Sequence, residues 1–334
     1  MTVSTRTAPP PRQTVDDPIL AMFPGQGSQR AGMAAHLLER HGGIAGPIFA
    51  TADAVAGFGL TELCVSGAKA ELTRTEVTQL AVVATSIAAW EVLRASGFRP
   101  AAVAGHSLGE FSALVAAQVL SLEAALALVA RRGELMARVA RSSDGGMLAV
   151  IGLGHEVVER LCAERRVPGV AEVANYNDPR QVVVSGHRDA LAEVAEAATA
   201  AGAEKVVMLE VGAPFHSSLM AEIEVEFAAE LARYPFGQAE IPVISSVTGT
   251  RLGDGAQARQ VLRTQLAQPV RWTGVLGTAG ELGFADFVEI GPGRVLTGFV
   301  KNTFEGFPVS STGDDRRLDG AIRAIRKVQE RNQS

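Results

Sequence analysis

The sequence predicts an α/β fold in which a small βαββαβ unit interrupts a larger α/β domain. Three observations carry the prediction. Hydrophobic residues make up 47% of the 334 residues against 20% charged, and 35 glycines are scattered among apolar runs, as in a packed α/β chain rather than a disordered one. Short apolar strands end in glycine-rich loops that open helices. A central stretch of about 65 residues reads strand, helix, strand, strand, helix, strand with no long loop left over.

The elements follow in order. Residues 1–17 hold Pro9, Pro10 and Pro11, then Asp16 and Asp17. They contain no apolar stretch that could serve as a signal-peptide core and are expected to form a flexible tail. A strand at 19–23 stops at Pro24 and opens into Gly25-Gln26-Gly27-Ser28-Gln29, a loop that exposes its backbone. A helix at 78–96 is closed by Gly97. A strand at 101–104 then runs into Gly105-His106-Ser107-Leu108-Gly109, with another helix directly after it.

From Met147 the pattern gives a strand to 151, a helix at 155–164, strands at 170–175 and 181–185, a helix at 189–201 and a strand at 205–211. This is the order of a ferredoxin-like unit. It places a small domain at 144–210 between the two halves, 18–143 and 211–334, of a large domain. A loop carrying His216 follows, then a helix to about 234, a strand at 243–247, a helix at 256–267, and a strand at 287–290 that enters Gly291-Pro292-Gly293. Leu318, Ile322, Ile325 and Val328 have helical spacing and predict a terminal amphipathic helix at 314–331.

A formal net charge of -5 argues against nucleic acid or an anionic membrane as the main partner. No run of about 18 apolar residues free of charges and breakers is expected, since residues 82–93 are interrupted by Thr, Ser and Glu. Cys64 and Cys162 lie in apolar surroundings without metal-ligand spacing, which suggests buried free thiols in a reducing compartment and no metal site. The expectation is a soluble, cytoplasmic protein.

A strand, then Gly-x-Ser-x-Gly, then a helix describes a nucleophile elbow, with Gly105 and Gly109 giving the backbone room to bend and expose Ser107. The alternative is an ordinary β–α turn in which Ser107 caps a helix. In the elbow reading, backbone N–H groups at the helix start, Leu108 first, would stabilise negative charge on a reacting carbonyl oxygen. A serine hydroxyl needs a base within hydrogen-bonding reach. Of the six histidines, His36, His41, His155 and His187 read as surface or cap residues. His106 adjoins the serine, and neighbouring residues in a sharp turn point apart, so it packs or assists. His216, in a strand-to-helix loop, remains.

These residues resemble malonyl-CoA:acyl carrier protein transacylases and the related acyltransferase domains of polyketide synthases. The resemblance runs from Ile19 to about Asn302. It rests on Phe23-Pro24-Gly25-Gln26-Gly27-Ser28-Gln29, Gly105-His106-Ser107-Leu108-Gly109-Glu110, Arg132-Gly133, Ala213-Pro214-Phe215-His216-Ser217, the run from Gln265 to Trp272, and Glu289-Ile290-Gly291-Pro292-Gly293. It implies a hydrolase-like large domain with a parallel sheet, a ferredoxin-like small domain, and an active site between them. By the same carry-over Ser107 is acylated, His216 is its base, the N–H groups of Gln26 and Leu108 form the oxyanion hole, and the backbone carbonyl of Gln265 orients His216 in place of a carboxylate. The substrates would be malonyl-CoA and the phosphopantetheine thiol of an acyl carrier protein, with no cofactor and a monomeric enzyme.

Arg132 can be read on its own. On a helix from about Leu122 it falls on the apolar arc with Leu126, Val129 and Met136, opposite Arg131, Glu134 and Arg138. A guanidinium facing the core needs an anion. That anion is either an internal Asp or Glu or the free carboxylate of the substrate, which a planar two-pronged donor fits well. The similar enzymes bind the malonyl carboxylate at this position. In them Phe before the histidine and an aliphatic residue after the serine accompany malonyl, so Phe215 and Leu108 both favour it. Arg165, Arg166, Arg180 and Arg188 are either a docking face for an acidic carrier protein or scattered solvated charges. An editing hydrolase, a trans-acting acyltransferase for a different acyl extender unit and a noncatalytic docking module are the rival functions.

Overall fold

The structure, a computed structural model, describes residues 18–332. The tail expected at 1–17 lies outside the described residues. Ten strands occur among them: β1 (Ile19–Phe23), β2 (Ala102–Gly105), β3 (Gly145–Ile151), β4 (Ala171–Asp178), β5 (Gln181–His187), β6 (Lys205–Met208), β7 (Val243–Ile244), β8 (Val270–Arg271), β9 (Asp286–Glu289) and β10 (Val309–Ser311). They form two sheets, ordered β10-β9-β1-β2-β7 and β6-β3-β5-β4-β8.

The first sheet is parallel throughout. Its central strand β1 is Ile-Leu-Ala-Met-Phe, with no polar alternation, because both faces of a parallel sheet are covered. Leu20 and Met22 pack on one side with Trp272, Val275 and Leu276. Ala21 and Phe23 pack on the other with Ala84, Ile87 and Trp90 of the helix Thr75–Ala95. That helix starts three residues before the expected position. By length and composition it is the one single described helix that could cross a membrane, but it carries Glu76, Glu91 and Arg94, and 89% of its apolar window is buried inside the protein.

In the second sheet β3, β4, β5 and β6 pair antiparallel in ferredoxin-like order. The helices His155–Glu164 and Arg188–Ala200 cover one face through Val158, Leu191 and Val194. Strand β8, unforeseen from sequence, comes from the chain after residue 211 and pairs parallel with β4, Asn175 opposite Val270 and Tyr176 opposite Arg271. The inserted unit is therefore joined to the larger one by a shared sheet. Cys64 and Cys162 are both buried free thiols, which burial pushes up to about 12 and about 11.

Several expected bounds shift. The strand at 205–211 stops at Met208, that at 243–247 covers only Val243–Ile244, and the helix to 234 is a 3-10 turn Ser218–Ile223 followed by Glu224–Leu231. The helix expected at 256–267 is Gly255–Thr264, which leaves Gln265 just past its end. Helices Ala35–Ala56, Trp272–Glu281 and Val295–Thr303 were not expected at all. The first carries Pro47 and a kink at His41, and its Gly42-Gly43 pair reads locally as a break. The terminal helix Asp315–Asn332 forms with Leu318, Ile322 and Ile325 buried; the side chain of Val328 lies outside the described set.

Candidate active site

At the end of β2 the chain turns sharply, and Ser107 takes φ +52°, a left-handed conformation unusual for a residue with a side chain. The flanking glycines are required by contact. A Cβ on Gly105 would sit 2.0 Å from the carbonyl carbon of Gly109, and one on Gly109 would sit 2.1 Å from the carbonyl oxygen of Phe23 in β1. The helix Gly109–Ala116 starts directly behind the serine, so its positive end faces the turn. Among the described residues the N–H groups of Leu108 and Gln26 have no protein acceptor.

His216 stands beside the serine, with Nε2 2.7 Å from Ser107 Oγ. It too has a positive φ, +60°. Its Nδ1 lies 3.0 Å from each of two backbone carbonyls, Gln265 O and Gln268 O. Carbonyls only accept, so Nδ1 carries the proton, and Nε2 presents its lone pair to the serine hydroxyl. Burial, and then the Arg132 cation, push the imidazole down to about 3, which keeps it neutral, with its Nε2 lone pair free, at physiological pH. The carbonyl of Gln268 was not found from sequence, since a main-chain acceptor leaves no residue-type signature.

Arg132 is 1% exposed. No carboxylate lies within ion-pair distance of it among the described residues. Nη2 donates to Ser107 Oγ and to Gln265 Oε1, both at 3.2 Å. Nη1 donates to Gln79 Oε1 at 2.5 Å and to Met136 Sδ at 3.1 Å. These acceptors are neutral, so they hold the guanidinium without cancelling its charge. Burial lowers it to about 9, partly countered by Glu110, and it remains cationic at neutral pH. Gln79, which also donates to Gln26 Oε1 at 3.1 Å, was missed; its only sequence signal was an amide directly before the apolar run at 80–84.

These groups meet at a cleft of about 400 Å³ lined by Gln26, His106, Ser107, Arg132, Phe215 and His216, among others. Asn175 and Val183 of the second sheet and Leu296 of the helix Val295–Thr303 also line it. The His106 ring is buried against Trp272 and Phe299, its Nε2 2.8 Å from Asn177 Oδ1. It packs and contributes to the wall rather than acting on the serine. Leu108 corrects the selectivity argument: its side chain is fully buried in the core and does not line the cleft. Only its backbone is available there, and Phe215 alone carries the steric case. Gln265 also lies behind the cleft wall, fully buried.

None of His36, His41, His155 and His187 lines the cleft. Three of the four arginines weighed as a docking face are engaged locally: Arg165 with Cys162 O and Gly169 O, Arg180 with Gly152 O and Glu204, and Arg188 with Asp144. Among the described residues no group of three or more potential metal ligands occurs.

The model of the acyl transferase domain family matches residues 21–327. The malonyl CoA-acyl carrier protein transacylase of Salmonella typhimurium is 37% identical over 302 residues, covering 90% of this chain and 97% of that protein. The Bacillus subtilis protein of the same name is 36% identical over 310 residues, covering 92% and 98%. Among solved structures, the malonyl-transacylase bound to its type II PKS acyl-carrier protein superposes with a TM-score of 0.88 at 36% identity, covering 92% of this chain and 99% of that one. The transacylase from Xanthomonas oryzae gives 0.88 at 37% identity, covering 92% and 98%. The family model spans most of the chain, and these relatives share more than a third of its residues over nearly their whole length; the chain belongs to the acyl transferase domain family, among the malonyl-CoA:acyl carrier protein transacylases.

Proposed function

We propose that the protein transfers malonyl from coenzyme A to the phosphopantetheine thiol of an acyl carrier protein through an ester on Ser107. The observation that carries this is one oxygen shared by two groups: Ser107 Oγ lies 2.7 Å from His216 Nε2 and 3.2 Å from Arg132 Nη2. A base and an uncancelled cation thus converge on the hydroxyl.

In the first half-reaction His216 Nε2 takes the hydroxyl proton as Oγ attacks the thioester carbonyl. The N–H groups of Gln26 and Leu108 receive the developing oxyanion. Collapse expels the coenzyme A thiolate, to which His216 returns the proton. In the second half-reaction the carrier's thiol attacks the ester, His216 takes the thiol proton, and it returns that proton to Ser107 as the malonyl thioester leaves; ping-pong kinetics follow. Gln265 O and Gln268 O hold the imidazole in the required tautomer, and Arg132 binds the malonyl carboxylate. Phe215 beside His216 limits room for an α-branch. Residues 144–210 form the inserted domain that roofs the cleft, and the enzyme works as a cytoplasmic monomer without a cofactor.

Incubation with labelled malonyl-CoA followed by intact-protein mass measurement tests the proposal. A malonyl adduct that is absent in Ser107→Ala and is discharged by holo carrier protein supports a transferase. Rapid release of free malonate would instead indicate an editing hydrolase, and no adduct a docking module.

A further inference from the structure

Behind the cleft, two buried side chains 155 residues apart in the chain meet. Glu110 lies in the first turn of the helix Gly109–Ala116, Gln265 just past the helix Gly255–Thr264, and both are fully buried. Gln265 Nε2 donates to Glu110 Oε2 at 2.8 Å and to the main-chain carbonyl of Ser107 at 3.1 Å. Both partners accept, so the NH₂ end of the amide is fixed on that side and Oε1 must face Arg132 Nη2, 3.2 Å away. The opposite amide orientation would set NH₂ against a guanidinium that can only donate.

The same carboxylate oxygen also holds the turn. Ser246 Oγ donates to Glu110 Oε2 at 3.0 Å and accepts from the Ser107 N–H at 3.4 Å. The amide and the carbonyl of the left-handed serine are thus both tied, through Ser246 and Gln265, to Glu110. A carboxylate in place of Gln265 would have cancelled the charge of Arg132, whereas an amide holds its direction and leaves the charge free for an incoming anion.

We infer that Glu110 and the side chain of Gln265 act as a positioning pair that aims an uncancelled Arg132 at the Ser107 oxygen and thereby sets the preference for acyl groups bearing a carboxylate. This rests on the reading of Arg132 as the carboxylate clamp. It assigns the Gln265 side chain a role separate from that of its main-chain carbonyl, which every substitution at 265 leaves in place for His216.

The test compares single-turnover acylation of Ser107 by malonyl-CoA and by acetyl-CoA, followed by intact-protein mass over a range of concentrations. Glu110→Met and Gln265→Leu should each lower the malonyl-to-acetyl ratio by about tenfold, with that excess loss in the half-saturating malonyl-CoA concentration, on top of whatever slowing a looser Ser107 turn imposes on both acyl groups alike. Glu110 Oε1 has no partner among the described residues, so Glu110→Gln can seat its NH₂ there, keep an acceptor for Gln265 and Ser246, and restore the ratio. Proportional loss for both acyl groups in Glu110→Met and Gln265→Leu, or an unchanged ratio, would overturn the inference; should Glu110→Met not fold, Gln265→Leu decides alone. Arg132→Ala separates the two layers. If it leaves the ratio intact, the clamp reading itself fails; if it collapses the ratio while the other two substitutions do not, only the positioning role fails.

Discussion

Replacing Arg132 with alanine should move the acid limb of acylation to higher pH. The shared serine oxygen places Arg132 Nη2 and His216 Nε2 within about 6 Å of each other, so at an effective dielectric constant of about 20 the cation disfavours imidazolium by about 3 kcal/mol. That corresponds to about two pH units. Arg132 is the second cause, after burial, of the depressed His216 value of about 3. The sign follows: removing a cation favours protonation, so the histidine accepts a proton at higher pH and the base is lost sooner as pH falls. The assay is kcat/KM for Ser107 acylation by acetyl-CoA, which does not use the carboxylate clamp, between pH 4 and 8, with activity re-measured at neutral pH to exclude unfolding. Wild type should stay flat to about pH 4.5, and Arg132→Ala should reach half activity near about pH 5. A wild-type limb near the ordinary histidine value, or identical limbs in the two proteins, would refute the electrostatic reasoning.

Other outcomes can be checked alongside. Gly109→Ala would drive a Cβ to 2.1 Å from Phe23 O, against main chain that cannot yield, and should cost about 3 kcal/mol or more in denaturant unfolding. Glu289 is fully buried and accepts from the N–H groups of Leu296 and Thr297 and from the Thr297 hydroxyl; Glu289→Ala should destabilise by about 2 kcal/mol and loosen the cleft wall, raising KM for malonyl-CoA. Folded-state stability should also depend on pH through His216. The histidine stays neutral down to about 3 when folded and titrates near 6.5 when unfolded, so the stabilisation is complete above about pH 6.5 and is lost as pH falls toward 3; the slope of unfolding free energy across that window should be shallower in His216→Gln. Phe215→Ala should raise methylmalonyl acylation relative to malonyl by about tenfold, the scale of one methyl group in a fitted pocket.

Much of the fold was legible because its signals are local. The all-apolar β1 announces a strand buried on both faces, and the alternation of strands and helices from Met147 to Met208 gives the order of the inserted sheet. Helices such as Ala35–Ala56 were hidden by Gly42, Gly43 and Pro47, whose local preferences are overridden when the flanking apolar residues pack on the helix Thr75–Ala95. Strand β8 is two residues long and exists only because β4 offers it a free edge.

The candidate site divides along the same line. Sequence alone determined the elbow and its glycines, the histidine in its loop and an arginine on an apolar helix face, because each violates or satisfies a short-range rule that a single stretch of chain reveals. Only the tertiary structure decided that Arg132 has neutral partners, that Gln79 and Gln268 join the site, and that Leu108 contributes backbone rather than side chain. Those facts depend on which distant groups share a few ångströms of desolvated space, and no local pattern of residues encodes that.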